Sequence, residues 1–256
     1  MGERGVRDAE VAGSIPVFPT KIINNYMSCN VEIKQQHITI ENHSIYVETS
    51  GQGKPILMIN GLGGDPKVLE NIRRNLLDYQ IITYDPPGVG KSSDIFWPLK
   101  MKDHAIIAHS VLETFGIERA TIFGVSWGGA VAQEIAVNHP EVIHKLILVS
   151  TMPGPFLITS PSVLFNRYIK TLTGTKTEWL QIGSLLSWSS LFKLGNINSP
   201  TLILNGTDDS LVLPYNAYLL NLLIPNSTLK LIEDQDHWLV VNGADEISSM
   251  INNFID

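Results

Sequence analysis

The order of apolar runs along the chain predicts an α/β fold: a mostly parallel central sheet with helices on both faces. Short runs at 56–59, 81–84, 120–123, 146–149 and 201–204 are too continuously apolar to wet one face, so they read as strands buried on both. Between them lie stretches with helical spacing at 68–77, 103–115, 130–138 and 216–223, several ending near Gly or Pro. Alternation of the two element types requires crossover connections, which build a parallel sheet. Ahead of it, runs at 31–40 and 44–49 meet across Glu41-Asn42-His43 and read as an antiparallel hairpin.

The boundaries follow from where this pattern fails. Residues 1–30 carry no clear periodicity and hold Pro16 and Pro19, so they read as an irregular arm ahead of a domain spanning 31–256. From about 153 to 193 there are three prolines, scattered aromatics (Phe156, Phe165, Tyr168, Trp179, Trp188) and no strand pattern. This segment reads as a short cap insertion over the sheet's edge, the alternative being a long connection with a packing helix.

A chain of 256 residues, 44% of them hydrophobic, can bury one sizeable core, so a single main domain is expected. The net charge of −7, from 25 acidic against 18 basic residues, comes without a basic run that could track a phosphate backbone, which argues against nucleic acid as a partner. Cys29 is the sole cysteine, so no intramolecular disulfide forms, in keeping with a reducing compartment. No apolar stretch approaches the roughly 20 residues of a membrane span, and the charged start is not followed by a signal-type apolar core. A cytoplasmic location is expected. The glycosylation-type triplets at Asn42, Asn205 and Asn226 read as chance matches in that setting.

Chemistry enters at Gly124-Val125-Ser126-Trp127-Gly128, which follows an apolar strand and precedes a helical stretch. A G-x-S-x-G pattern there makes a tight strand-to-helix turn that projects the Ser126 hydroxyl at the carboxyl end of the sheet. A serine hydroxyl needs a base within reach. His237, in Asp236-His237-Trp238 just past the run at 228–232, is delivered to the same edge. The other six histidines lie in the early hairpin (His37, His43), in helical stretches (His104, His109, His139) or leading into a strand (His144), and are assigned structural roles. A carboxylate must fix the imidazole tautomer. Gly206-Thr207-Asp208-Asp209 closes a strand, so either acid could serve, Asp208 alternatively capping the next helix. For the oxyanion, one backbone N–H should come from Trp127 and the other from Leu62 in Asn60-Gly61-Leu62-Gly63-Gly64, directly after the strand at 56–59. Phe156, Trp179 and Trp188 either line an acyl pocket or pack the cap onto the body.

From about residue 31 to the end these features resemble the α/β-hydrolase family, through the glycine turn at 60–64, Asp85-Pro86-Pro87-Gly88-Val89-Gly90-Lys91-Ser92, the elbow at 124–128, the acid at 209 and the histidine at 237. More narrowly, Asn60-Gly61-Leu62-Gly63, Gly124-Val125-Ser126-Trp127-Gly128-Gly129-Ala130 and Pro161-Ser162-Val163-Leu164 are similar to intracellular poly(3-hydroxyalkanoate) depolymerases and their esterase relatives. The resemblance implies an α/β-hydrolase fold with a Ser126, Asp209, His237 triad, Asp209 being favoured because the third position after such a glycine carries this role in similar enzymes. It implies a small-molecule ester as substrate. Between Tyr168 and Trp188 the chain is shorter than the lid of those depolymerases, which favours a carboxylesterase for small acyl esters over a polymer hydrolase.

Other functions fit less well. Gly88-Val89-Gly90-Lys91-Ser92 is not a phosphate loop, because the pattern needs glycine where Asp85 stands. There is neither an H-E-x-x-H pair nor a cysteine ligand set, so neither a metal nor another cofactor is implied. Carbon–carbon bond hydrolases, haloperoxidases and dehalogenases share the scaffold, and serine at 126 rather than aspartate argues against the last. A ligand-binding receptor of the same fold is the non-enzymatic alternative. Oligomeric state is not legible.

Overall fold

A computed structural model describes residues 32–64, 67–154 and 176–256. The expected arm at 1–30, and within the expected cap residues 155–175, lie outside them. The chain runs β1 (Lys34–Ile40), β2 (His43–Ser50), β3 (Lys54–Ile59), α1 (Lys67–Arg74), β4 (Tyr79–Tyr84), α2 (Met101–Thr114), β5 (Ala120–Val125), α3 (Trp127–Asn138), β6 (Ile143–Val149), α4 (Lys176–Leu186), β7 (Thr201–Gly206), α5 (Tyr215–Leu223), β8 (Ser227–Ile232), α6 (Leu239–Asn242) and α7 (Ala244–Ile255). This is the predicted α/β class.

The strands form one sheet in the order β1-β2-β4-β3-β5-β6-β7-β8. β1 pairs with β2 and β2 with β4 antiparallel, and all later neighbours are parallel. β1 lies at the edge and is polar there, Lys34, Gln35, Gln36 and His37 being exposed, which blunts an edge that could otherwise recruit another strand. The chain goes from β3 outward to β4 and then back across β3 to β5, so β3 and β5 flank the point where winding reverses. In open parallel sheets the crevice at the carboxyl ends of such strands is where ligands bind.

The continuous apolar runs have the cause the sequence suggests. Leu57, Ile59, Ile122, Leu146, Leu148 and Ile203 enter one core with α2, α3 and α5, while Ile56, Met58, Phe123, Val125, Ile147, Val149, Leu202 and Leu204 enter the other with α1, α6 and α7. Successive residues of a strand point to opposite faces, so a strand covered on both sides must be apolar at every position. Where the reading of 68–77 overshoots, Leu76 N–H turns back to the Arg73 carbonyl and the helix stops at Arg74. No helix among the described residues is long and apolar enough to cross a membrane.

One polar group sits deep in the first core. His104 of α2 is 1% exposed and meets the indole of Trp127 edge-on at 4.8 Å between ring centres, and among the described residues its Nδ1 has no hydrogen-bond partner. Burial pushes its pKa from 6.5 down to about 4, with a smaller contribution from His43. The folded protein therefore binds this proton less readily than the unfolded chain, so the stability it confers is full above pH 6.5 and is lost as pH falls toward 4. Urea unfolding is expected to show about 2 kcal/mol of His104-dependent loss between about pH 7 and about pH 5. His104→Leu should flatten that slope; an unchanged slope in the variant would refute the assignment.

Candidate active site

The site is built where β5 turns into α3. Ser126 sits between them with φ 53° and ψ −114°, a conformation disfavoured for a residue with a Cβ. Its neighbours hold it there: Ser126 N–H donates to the Val149 carbonyl at 2.9 Å, and the Ser126 carbonyl accepts from Thr151 Oγ1 at 2.7 Å and Gly129 N–H at 3.0 Å. The turn closes because two positions lack side chains. A Cβ on Gly124 would lie 2.4 Å from the Gly128 carbonyl oxygen, and one on Gly128 would lie 2.2 Å from that of Ile59. The start of α3 thus rests against the end of β3, whose Ile59 pairs with Gly124.

Two further strands bring the remaining polar groups to this edge. Asp209 lies just past β7 and is 1% exposed. Its Oδ1 accepts N–H groups of Leu211 at 2.9 Å and Val212 at 2.7 Å, which leaves Oδ2 to face His237 Nδ1 at 2.9 Å. His237, past β8, places Nε2 3.2 Å from Ser126 Oγ. A carboxylate only accepts, so Nδ1 carries the proton and Nε2 presents its lone pair to the serine hydroxyl. Asp208 is exposed, accepts from Thr207 Oγ1 at 3.4 Å, and its N–H donates to the Gln235 carbonyl. Of the two acids it is Asp209 that reaches the imidazole.

The turn at 60–64 follows β3 beside the serine; a Cβ on Gly61 would lie 3.5 Å from Ser126 Cβ. Gly61 N–H donates to Asn60 Oδ1, Gly63 N–H to Gln181 Oε1 at 2.7 Å, and Gly64 N–H to the Gly61 carbonyl. Among the described residues no acceptor meets Leu62 N–H, and the first turn of α3 leaves Trp127 N–H without an intrahelical partner. Two N–H groups in the segments next to the serine are therefore unengaged among the described residues.

Sequence reasoning did not single out Gln181. It is 2% exposed on α4, and it touches both sides of this arrangement: its amide oxygen fixes Gly63, and its carbonyl accepts the Trp127 indole N–H at 3.1 Å. Ser184 Oγ, one turn on, meets the same indole nitrogen at 3.0 Å. No motif marks a glutamine in a segment without periodic signature, and only the packing of α4 reveals it.

The three aromatics assigned to an acyl pocket or to cap packing separate. Phe156 lies outside the described residues. Trp179 is half exposed on α4. Trp188 packs: it is 8% exposed within the first core, and its indole N–H donates to Glu134 Oε2 on α3 at 2.9 Å, about two turns down the helix from Ser126. Its amphipathic ring finds a carboxylate partner there, an arrangement that packs the end of this segment against α3.

Comparison with known proteins places the fold in a family. A family described as alpha/beta hydrolase fold matches residues 54–189 and 167–244. A poly(3-hydroxyalkanoate) depolymerase from Ectopseudomonas oleovorans is 29% identical over 78% of this chain and 84% of its own. A 2-hydroxy-6-oxononadienedioate/2-hydroxy-6-oxononatrienedioate hydrolase from a Pseudomonas species is 26% identical over 84% of this chain and 92% of its own. Among solved structures, the enol-lactonase of Burkholderia xenovorans superposes with a TM-score of 0.77 at 18% identity, covering 86% of this chain and 99% of that one, a likeness of fold.

The contact between elbow and β3 has a direct test. Gly128→Ala forces a Cβ against main-chain oxygens that cannot swing aside, and is expected to lower stability by about 3 kcal/mol in urea unfolding. Gly195→Ala, where a Cβ would meet nothing within 4 Å, serves as the control and should change it little.

Proposed function

Because the chain belongs to the α/β-hydrolase family, we propose that it is a serine hydrolase of carboxylic esters, with Ser126 as nucleophile, His237 as general base and then acid, and Asp209 as the group that orients the imidazole. The observation that carries this reading is the unbroken relay of 2.9 Å from Asp209 to His237 and 3.2 Å from His237 to Ser126, in a turn that presents the hydroxyl beside two unengaged N–H groups.

His237 Nε2 takes the Ser126 proton as Oγ attacks the ester carbonyl. The tetrahedral oxyanion is held by Leu62 and Trp127 N–H, aided by the positive end of α3. The imidazolium returns its proton to the leaving alcohol, giving the acyl-enzyme. Water, deprotonated by the same imidazole, then releases the acid. Gln181 acts as a positioning residue, since its bond to Gly63 fixes the turn that carries Leu62.

Small acyl esters are the favoured substrates, on the strength of the short segment between Tyr168 and Trp188. The 29% identical relative, a poly(3-hydroxyalkanoate) depolymerase, favours polyester as a second reading, because the links of that polymer are also esters. Relatives that hydrolyse 2-hydroxy-6-oxo dienoates favour carbon–carbon cleavage as the competing chemistry on the same scaffold.

The three readings separate in one assay panel: p-nitrophenyl esters of increasing acyl length, a poly(3-hydroxyalkanoate) suspension and a 2-hydroxy-6-oxo dienoate. Turnover of the short esters is expected, with Ser126→Ala reducing kcat by about 10⁴-fold or more. Dienoate cleavage with all esters inert would replace the ester reading, and no turnover of any member would favour a receptor. For Gln181→Leu, kcat is expected to fall about 10- to 100-fold with KM little changed, as a displaced oxyanion donor requires. A change confined to KM would remove Gln181 from that role.

A further inference from the structure

Away from the cleft, His109 of α2, His139 at the C-terminal cap of α3 and Glu141 two residues on form a group of possible ligands, one ligand atom from each lying within 4.8 Å of the others. The two rings are inclined by 24° with centres 4.5 Å apart, and His139 Nδ1 stands 3.6 Å from Glu141 Oε1. Both histidines are half-buried and Glu141 is exposed.

The spacing admits a metal ion once the rings turn. Donors about 2.1 Å from a tetrahedral zinc stand roughly 3.4 Å apart, so ligand atoms already within 4.8 Å converge on one ion when the stacked imidazoles rotate about their side-chain bonds. The glutamate, on an exposed side chain, supplies the third donor by a change of rotamer. Two imidazoles and a carboxylate are a mixed nitrogen–oxygen set that suits Zn²⁺ and its neighbours in the first transition row. The carbonyl end of the 12-residue α3 carries partial negative charge and favours a cation at the same place.

We propose that His109, His139 and Glu141 form a binding site for a divalent transition-metal ion, Zn²⁺ in the first instance, with water completing the coordination. The positions 109, 139 and 141 form no ligand motif in the sequence, and only the packing of α2 against α3 brings them together. The ion would clip α2 to the end of α3, at the opposite end of that helix from Ser126, about 18 Å along its axis. It would act on stability, by mass action.

The full chain without an affinity tag, stripped with EDTA, would be titrated with ZnCl₂ by calorimetry, and its thermal unfolding followed with and without the ion. One equivalent is expected to bind and to raise Tm. His109→Ala and His139→Ala should each weaken binding at least about tenfold and abolish the rise in Tm, while His37→Ala leaves both unchanged. Glu141→Gln, which alters an exposed side chain, gives a variant whose folding is not in question and should also bind more weakly. Absence of binding, or affinity equal to wild type in the His109, His139 and Glu141 variants, would overturn the proposal.

Discussion

The close approach of α3 to the end of β3 is the constraint on which the rest depends. Gly128 lies so near the Ile59 and Asn60 carbonyls that no side chain fits between them. That contact fixes where the helix begins, and hence the direction of the Ser126 hydroxyl. It also sets the turn at 60–64 alongside the serine, because β3 and β5 are paired in register up to Ile59 and Gly124. Backbone packing thus decides where the 60–64 turn and the serine meet.

The parallel sheet supplies the other half of the convergence. Ser126, Asp209 and His237 are separated by up to 111 positions, yet each follows the carboxyl end of a parallel strand and so reaches one edge. Asp209 is held by two main-chain N–H groups from its own loop, which leaves a single oxygen, in one orientation, for the imidazole. The segment before β7 adds a lock from above: α4 bonds both the 60–64 turn and the Trp127 indole, so the walls flanking the serine share one support.

Much of this was legible in the residues. Strands buried on both faces, such as 120–123 and 146–149, announce themselves as unbroken apolar runs, and the Gly124 to Gly128 pattern has meaning only between a strand and a helix, which is where it stands. As residues closing a strand, Asp208 and Asp209 are equivalent, and only the resemblance to similar enzymes favours Asp209; in the structure Asp209 turns inward to the Leu211 and Val212 N–H groups while Asp208 meets solvent. What escaped are contacts without periodic signature. Gln181 depends on how α4 docks, and His109 and His139 meet only through the crossing of two helices. Trp188 reads two ways because an indole suits a pocket or a core equally, and its hydrogen-bond partner Glu134 lies 54 positions away.

The twisted backbone at Ser126 sets a bound on how this molecule can be made sturdier. A conformation of that kind costs on the order of 1–3 kcal/mol, and it persists only because Val149, Thr151 and the glycines around it leave no alternative. A glycine at 126 would relax the chain there while removing the reactive oxygen, so selection for heat tolerance alone would drift toward an inert protein. Reactivity and robustness are opposed at this single residue, and hardening the molecule is better sought at the polar edge strand β1, far from the strained turn.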